Sequence, residues 1–380
     1  MPRKTSLRVL FVMPYGPLAA SSRTRVYQYF PYLDRAGIQY DVLTVFPDAR
    51  MDGITLPLLR GRARKVVYYI EGWIRALCVG WRTLLRARRY DVLFFQRAVF
   101  PWPLPALFRR RRARVVYDFD DAIFTTDITE KSLVNRVVRW RNSRGLPPLL
   151  RASAHAVVEN DYTRTYAERY CPRVSTITGP IDTERYRPSE VPKSSDDPIV
   201  LGWIGSPTTE KYLEMIRGPL EEVGRRFSGV RLLLVGASAF EVAGLPTERR
   251  RWGLEREVSD LQAFDIGLMP LPDDEWTRGK GGYKLLQYMA VAVPAVASPV
   301  GVNRILVSDG VDGFHATGEE EWGDRLCRLI RDADLRRQMG AAGRRKMERE
   351  YALSVSAGRL IEILKATCPD PSASSASSTA

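Results

Sequence analysis

Residues 265–300, DIGLMPLPDDEWTRGKGGYKLLQYMAVAVPAVASPV, leave few folds open to this chain. A short apolar run at 266–269 leads into a polar loop, two glycines, an amphipathic stretch and a second apolar run at 295–297. Strand, helix and strand in that order imply parallel strands joined by a right-handed crossover. A helix that starts at the end of a parallel strand presents free backbone N–H groups and the positive end of its dipole. The loop adds Arg278 and Lys280, and Lys284 follows within one turn of the glycines. Gly281 and Gly282 remove side chains where a ligand would approach the backbone. This combination suits a diphosphate. The spacing GxxxxGK[ST] is absent, which argues against a P-loop NTPase.

The same alternation runs through the rest of the chain. Apolar runs at 8–13, 39–46, 92–95, 115–118 and 155–158 read as strands with amphipathic helices between them, so the first part is a doubly wound α/β domain. Residues 183–198, TERYRPSEVPKSSDDP, are polar and proline-rich and read as a linker. The alternation restarts at 199–204, where Gly205-Ser206-Pro207 makes the turn, and continues at 230–235, 266–269 and 295–297. The 380 residues suffice for two domains, each with its own core. The expected division is 1–182, linker 183–198, then 199–352. A helix at 353–366 crosses back to the first domain, and a tail at 367–380 has a disordered composition.

Positive charge is concentrated. Residues 58–114 hold fifteen Lys or Arg against two acids, nearly the whole net charge of +14. Val66, Tyr69, Ile70, Trp73, Ile74, Leu77, Trp81 and Leu85 recur at helical spacing, with Lys65, Arg75, Arg82 and Arg86 opposite. Two readings follow. The apolar side packs on the core below a solvated basic face, or the segment docks on an anionic membrane. No stacking platform or zinc knuckle accompanies the charge, so nucleic acid is not the expected partner.

The segment from Lys284 to Ser298 also resembles the pattern K-x-x-E-x-M-A-x-G-x-P-V-V-A-S of retaining, nucleotide-sugar-dependent glycosyltransferases of family 4 (group 1). Ile181-Asp182 with Tyr186 and Pro188 is similar to a second segment of that family. The resemblance implies the GT-B fold, two Rossmann-like doubly wound domains facing a cleft. It also implies transfer of a sugar from a nucleoside-diphosphate sugar to a hydroxyl, with retention. The family's two glutamates, eight positions apart, fall here on Gly279 and Gln287, so one is missing and the other is an amide.

The site residues expected on these grounds fall into three groups. Arg278 and Lys284 stabilise the leaving diphosphate, and Asp120 or Asp121 positions an acceptor hydroxyl or offsets charge on the sugar ring. Gly205, Ser206, Thr277, Lys280, Gly281 and Gln287 bind the donor. Arg23 and Arg25, opening the first helix, take a phosphate of donor or acceptor; otherwise they are exposed arginines behind a Ser22 cap. Three acids in the four residues from Asp118 require cationic partners, with Arg23, Arg25 or Arg97 available. With only His155 and His315 a histidine metal cluster is excluded. Asp273, Asp274 and Glu275 read as solvated, so no metal is expected, and no cofactor beyond the nucleotide sugar as co-substrate.

Four scattered cysteines, no signal-like apolar core and no run of ~20 apolar residues imply a cytoplasmic protein. The basic segment would place it peripherally on the inner face of the membrane. Its partners would be the nucleotide sugar and a glycan or lipid-linked acceptor, in cell-surface polysaccharide or glycolipid synthesis. Two alternatives remain at this level: a nucleotide-sugar epimerase of GT-B fold, and a non-catalytic nucleotide-sugar-binding or membrane-associated protein.

Overall fold

The computed structural model describes residues 6–46, 62–110, 114–125, 133–191, 193–194 and 197–368, without the side chains of 62–69, 133–135 and 138. Two compact units appear, Met1–Pro180 with Leu353–Ala380, and Ile181–Ala352. The first contains β1 (Arg8–Met13), β2 (Gln39–Thr44), β3 (Val92–Gln96), β4 (Val115–Phe119), β5 (Ser153–Val158) and β6 (Val174–Thr176). The second contains β7 (Ile199–Ile204), β8 (Val230–Val235), β9 (Thr247–Arg250), β10 (Ile266–Met269), β11 (Ala295–Ala297) and β12 (Gly313–His315).

Each unit is one six-stranded sheet, ordered β2-β1-β3-β4-β5-β6 and β12-β11-β10-β7-β8-β9, and the pairs are all parallel. Interior strands such as VLFFQ of β3 and VVYDF of β4 are buried along their whole length. Helices on both faces of a parallel sheet demand this, which is why such strands read as unbroken apolar runs. In the first sheet the chain reverses its direction of travel between β1 and β3, and in the second between β7 and β10. Ligands of doubly wound folds bind at such switch points, outside the C-terminal ends of the strands.

One face of the first sheet packs against helices Arg62–Arg86, Leu104–Arg110 and Leu133–Ala152. The other packs against Phe30–Arg35 and the C-terminal helix Leu353–Thr367, whose Leu360 and Leu364 join Val9, Phe11 and Val157. Residues 183–198 are not a free linker. Tyr186 lies in the core of the second unit, Lys193 pairs with Asp265 at 2.7 Å, and the Gln262 amide donates to Arg187 O at 2.7 Å. An aromatic ring two residues before a proline could bury itself on a neighbouring surface, and here it does.

Helix Arg62–Arg86 lies the other way round from a core-facing reading. Its buried stripe is Gly72, Ala76, Val79, Gly80, Thr83 and Leu84, whereas Trp73 is 47% exposed, Trp81 44% and Leu85 80%, with Ile70 and Ile74 also outward. The reason is steric. A Cβ on Gly80 would lie 2.4 Å from Leu104 Cδ1, and one on Gly72 would lie 2.8 Å from the Phe46 ring. Small residues let the helix sit close to its neighbours, and the bulky apolar residues have no room on that side. Arg82 and Arg86 are exposed beside the stripe. Lys65, Val66 and Tyr69, together with 58–61 and 111–113, lie outside the described side chains. Among the described residues no helix is long and apolar enough to cross a membrane.

A buried ion cluster fastens the helix after β1. Arg25, 2% exposed, donates from Nε to Asp118 Oδ1 at 3.1 Å and from Nη1 to Glu159 Oε2 at 2.7 Å. Gly179 N–H donates to the other Glu159 oxygen at 2.7 Å. Burial opposes the guanidinium charge, but Asp118 and Glu159 outweigh it and raise the Arg25 pKa. One cation cannot neutralise two carboxylates away from water. Burial, against the pull of Arg25, pushes Asp118 up to about 6 and Glu159 up to about 8.

Two outcomes follow. Gly80→Leu overpacks the helix seat and costs about 1–3 kcal/mol in denaturant unfolding of the full chain, while Trp81→Ser and Leu85→Ser stay within about 0.5 kcal/mol. The opposite ranking would return the tryptophans to the core. A carboxyl whose pKa rises from 4.5 to about 8 on folding stabilises fully below pH 4.5, and that contribution is lost as pH climbs to about 8. The slope reaches about 1.4 kcal/mol per pH unit, roughly 2–4 °C of Tm per kcal/mol. Glu159→Gln cannot ionise, so its Tm should fall less across that window. Parallel Tm–pH curves for the two proteins would contradict the raised pKa.

Candidate functional site

In the second unit the pairing of β7 with β10 stops early, at Leu201 with Ile266 and Gly202 with Gly267. Beyond it the strands part, and Tyr288 takes over: its hydroxyl accepts from Ile204 N–H at 3.2 Å and donates to Leu268 O at 3.3 Å. At the mouth of this crevice Gly205 follows β7. A Cβ there would lie 2.5 Å from the Trp203 ring and 2.9 Å from Lys284 Cε, so no side chain fits. Gly236, at φ 83, closes the other side, since its own Cβ would reach within 2.1 Å of Gly205 O. Ser206 shares a hydrogen bond with Thr208 at 2.8 Å.

Lys284 stands in the first turn of helix Tyr283–Ala290, which begins after Gly282 in the left-handed region at φ 65. Its Nζ lies 5.3 Å from the Trp203 ring centroid. Helix start, glycine and ammonium group are thus brought to the end of β7. In the preceding loop Arg278 pairs with Asp273 at 2.7 Å with both side chains about half exposed, and Lys280 lies over Trp276 at 5.0 Å. The Arg278 pair holds the Asp273 carboxyl below its usual range. Gly281 is half-buried beside them.

Thr277 and Gln287 are placed differently from the other expected donor contacts. Thr277 is 1% exposed, and its hydroxyl donates to Pro272 O while its N–H donates to Asp274 Oδ1 at 2.8 Å. This is a capping box that shapes the loop. Gln287 is 4% exposed, and its amide donates to Tyr186 OH, which donates to Glu257. Asp273 and Asp274 thus have partners within the loop. Among the described residues no group of three or more His, Cys, Asp or Glu is gathered as a metal ion would need.

The crevice of the first unit lies between the ends of β1 and β3. Arg25 is the buried centre of the ion cluster and presents no guanidinium to solvent. Arg23 is half-buried and donates to Pro17 O at 3.3 Å and Leu18 O at 3.2 Å, folding the preceding loop back. The helix itself starts at Ala20, with Ala19 in the cap position, so Ser22 is not the cap. Asp120 and Asp121 both face Arg97, whose Nη1 lies 3.1 Å from Asp120 and 3.2 Å from Asp121. Burial would lift the Asp120 pKa, but Arg97 and a Ser21 hydrogen bond outweigh it and hold it below the ordinary value. Arg97 adopts φ 50, a left-handed conformation that costs a non-glycine residue about 1–3 kcal/mol, and such strain clusters at functional sites.

Three further crevice residues escaped sequence reasoning. Gln96 ends β3 and donates to Ser21 Oγ at 2.7 Å, while its Oε1, buried, has no partner among the described residues. A polar residue closing an otherwise apolar strand was the available signal. Ser21 was visible only as part of a hydroxyl-rich helix start. Tyr288 gave no signal, because an aromatic residue on an apolar helix face reads as core. Chemically, the first crevice offers a carboxylate-rich spot that can accept hydrogen bonds from a hydroxyl. The second offers fixed cations and helix-start N–H groups for an anion.

Comparison with known proteins gives a family match over part of the chain and a shared fold over nearly all of it. No sequence of a curated protein matches the chain. Residues 198–332 match the family described as Glycosyl transferases group 1. Among solved structures the chain is similar to a sucrose-phosphate synthase from Thermosynechococcus elongatus, with TM-score 0.68, 14% identity, and 95% of this chain and 98% of that one covered. A glycosyltransferase from Rickettsia africae gives TM-score 0.66 at 12% identity, covering 96% and 99%. Anabaena HepE in complex with UDP-glucose gives 0.63 at 14% identity, covering 95% and 100%. Residues 198–332, within the second unit, are thus similar to the group 1 glycosyl transferases, and the chain as a whole has the GT-B fold.

Proposed function

We propose that this chain is a retaining glycosyltransferase that moves a sugar from a nucleoside-diphosphate sugar to a hydroxyl, without a metal ion. The observation that carries this reading is Lys284 at a glycine-started helix, set against Gly205 at the switch point of the second sheet. A diphosphate seated there meets an ammonium group and backbone N–H donors that are already in place. Such preorganised groups stabilise a leaving diphosphate as the sugar becomes oxocarbenium-like. Arg278 and Lys280 add charge from the loop. The HepE neighbour, crystallised with UDP-glucose, supports a nucleotide sugar as donor. Asp120, ionised and oriented by Arg97, positions the acceptor hydroxyl, with Asp121 beside it.

The acceptor in this reading is a glycan or lipid-linked molecule of cell-surface polysaccharide or glycolipid synthesis. The enzyme works in the cytoplasm, docked on the inner face of the membrane through the basic segment 58–114. Support comes from the outward row of Ile70, Trp73, Ile74, Trp81 and Leu85 with arginines at its flanks. Tryptophans and cations so arranged suit the interface of an anionic bilayer, where each cation contributes about 1 kcal/mol.

A thermal-shift panel of nucleoside diphosphates identifies the base, and calorimetry with the best of them tests the site. Lys284→Ala and Arg278→Ala should each weaken binding about tenfold or more, the loss of a charge-assisted contact worth about 1.5–3 kcal/mol. Wild-type affinity in both variants would remove the phosphate assignment. Turnover should survive EDTA, because cationic side chains stand in for a metal at the leaving group. Loss of turnover in EDTA with recovery on adding magnesium or manganese would overturn the metal-free mechanism.

A further inference from the structure

We propose that an open groove of about 600 Å³ on the first unit binds the phosphate headgroup of an anionic membrane lipid, apart from the switch-point crevice. This rests on the membrane reading above and adds a specific site to it. The groove runs between helices Leu104–Arg110 and Leu133–Ala152. Pro105, Pro148 and Trp102 form its apolar walls, and Arg109, Arg110 and Arg151 stand around it. Among the described residues that line it none is acidic. Arg151 is steadied by the Tyr170 ring, 4.9 Å from its guanidinium carbon. Three guanidinium groups around one depression match the oxygens of a phosphate monoester or diester.

The apolar surroundings select a lipid as the carrier of that phosphate. Trp102 is 83% exposed at the groove, and Trp140 and Val137 on the neighbouring helix are 58% and 62% exposed. Helix Arg62–Arg86 packs beside Leu104–Arg110 and adds its own outward stripe. These three helices cover one face of the first sheet with their small or buried sides inward, so their bulky apolar residues lie on the far side. A water-soluble phosphate would engage only the arginines. A lipid engages the arginines with its headgroup and the tryptophans and isoleucines with its glycerol and acyl region.

The test is vesicle co-sedimentation of the full chain at fixed ionic strength, with phosphatidylcholine alone or mixed with phosphatidic acid. Two doubly substituted variants remove equal charge, Arg109→Gln with Arg151→Gln in the groove, and Arg82→Gln with Arg86→Gln on the long helix. All four residues are exposed, and unchanged Tm values verify the fold. The groove pair should lose about tenfold more affinity than the helix pair. Soluble dihexanoyl phosphatidic acid below its micelle concentration should bind the wild type but not the groove pair, and inorganic phosphate should bind far more weakly. Equal losses in the two pairs would overturn the groove site while leaving charge-driven docking intact. Binding indifferent to lipid charge would overturn both. Inorganic phosphate binding as tightly as the short-chain lipid would also overturn the lipid assignment.

Discussion

Where adjacent parallel strands send their crossovers in opposite directions, their backbone groups part and need other partners. In the second unit β7 and β10 meet this requirement with one side chain. The Tyr288 ring lies against Gly267, where a Cβ would come within 2.4 Å of it, and its hydroxyl bridges the strands beyond the last ladder pair. Gly202 is bare for the same reason, with the Phe264 ring filling the space of its Cβ. Tyr288 and Lys284 are four residues apart and share a helix face. Seating the ring between the strands therefore sets the ammonium group against Gly205. The place of Lys284 at the crevice is a consequence of how the sheet is opened.

The two units solve opposite electrostatic problems with similar means. The first crevice gathers Asp118, Asp120, Asp121 and Glu159 around two arginines, Arg25 wholly inside and Arg97 nearer solvent. Buried ion pairs of this kind add little net stability, because desolvation offsets attraction. What they do is admit one arrangement: Arg25 fits only with helix Ala20–Arg25, β4 and the end of β5 in place. The left-handed backbone of Arg97 is then held by Asp118 O and by its own two carboxylates. The second crevice gathers cations instead, steadied by the Trp203 and Trp276 rings and by Asp273.

How much was legible in the chain depended on burial. Strands β7, β8, β10 and β11 match their apolar runs residue for residue, because each lies in a sheet interior with both faces covered. The strands that went unread, β6, β9 and β12, are all sheet edges and read VST, TERR and GFH. An edge strand pairs on one side only, so its sequence need not be apolar. The GT-B fold followed from alternation and the 284–298 motif. Site residues were harder, since type and spacing do not say which polar group a neighbour will claim. Arg25 and Arg278 look alike as letters. One is enclosed by carboxylates contributed from β4 and β5, far away in sequence, and the other has a partner five residues off and solvent around it. Which face of helix Arg62–Arg86 turns inward stayed open between two readings for a related reason. Periodicity shows that two faces exist, but the close approach of Leu104 and Phe46 decides which one goes inward.

That inverted helix gives the protein two opposed responses to salt. Its arginines keep copies of the chain apart at low ionic strength, as a strongly basic surface does. Added salt shortens the reach of that repulsion to a few ångströms and leaves the apolar row between the arginines free to meet its like on another molecule. In the membrane-docked reading proposed above, attraction to an anionic bilayer fades over the same range. Under that reading ionic strength would act as a selector between lipid and self, since the salt that quiets the charges of this helix leaves its apolar side bare.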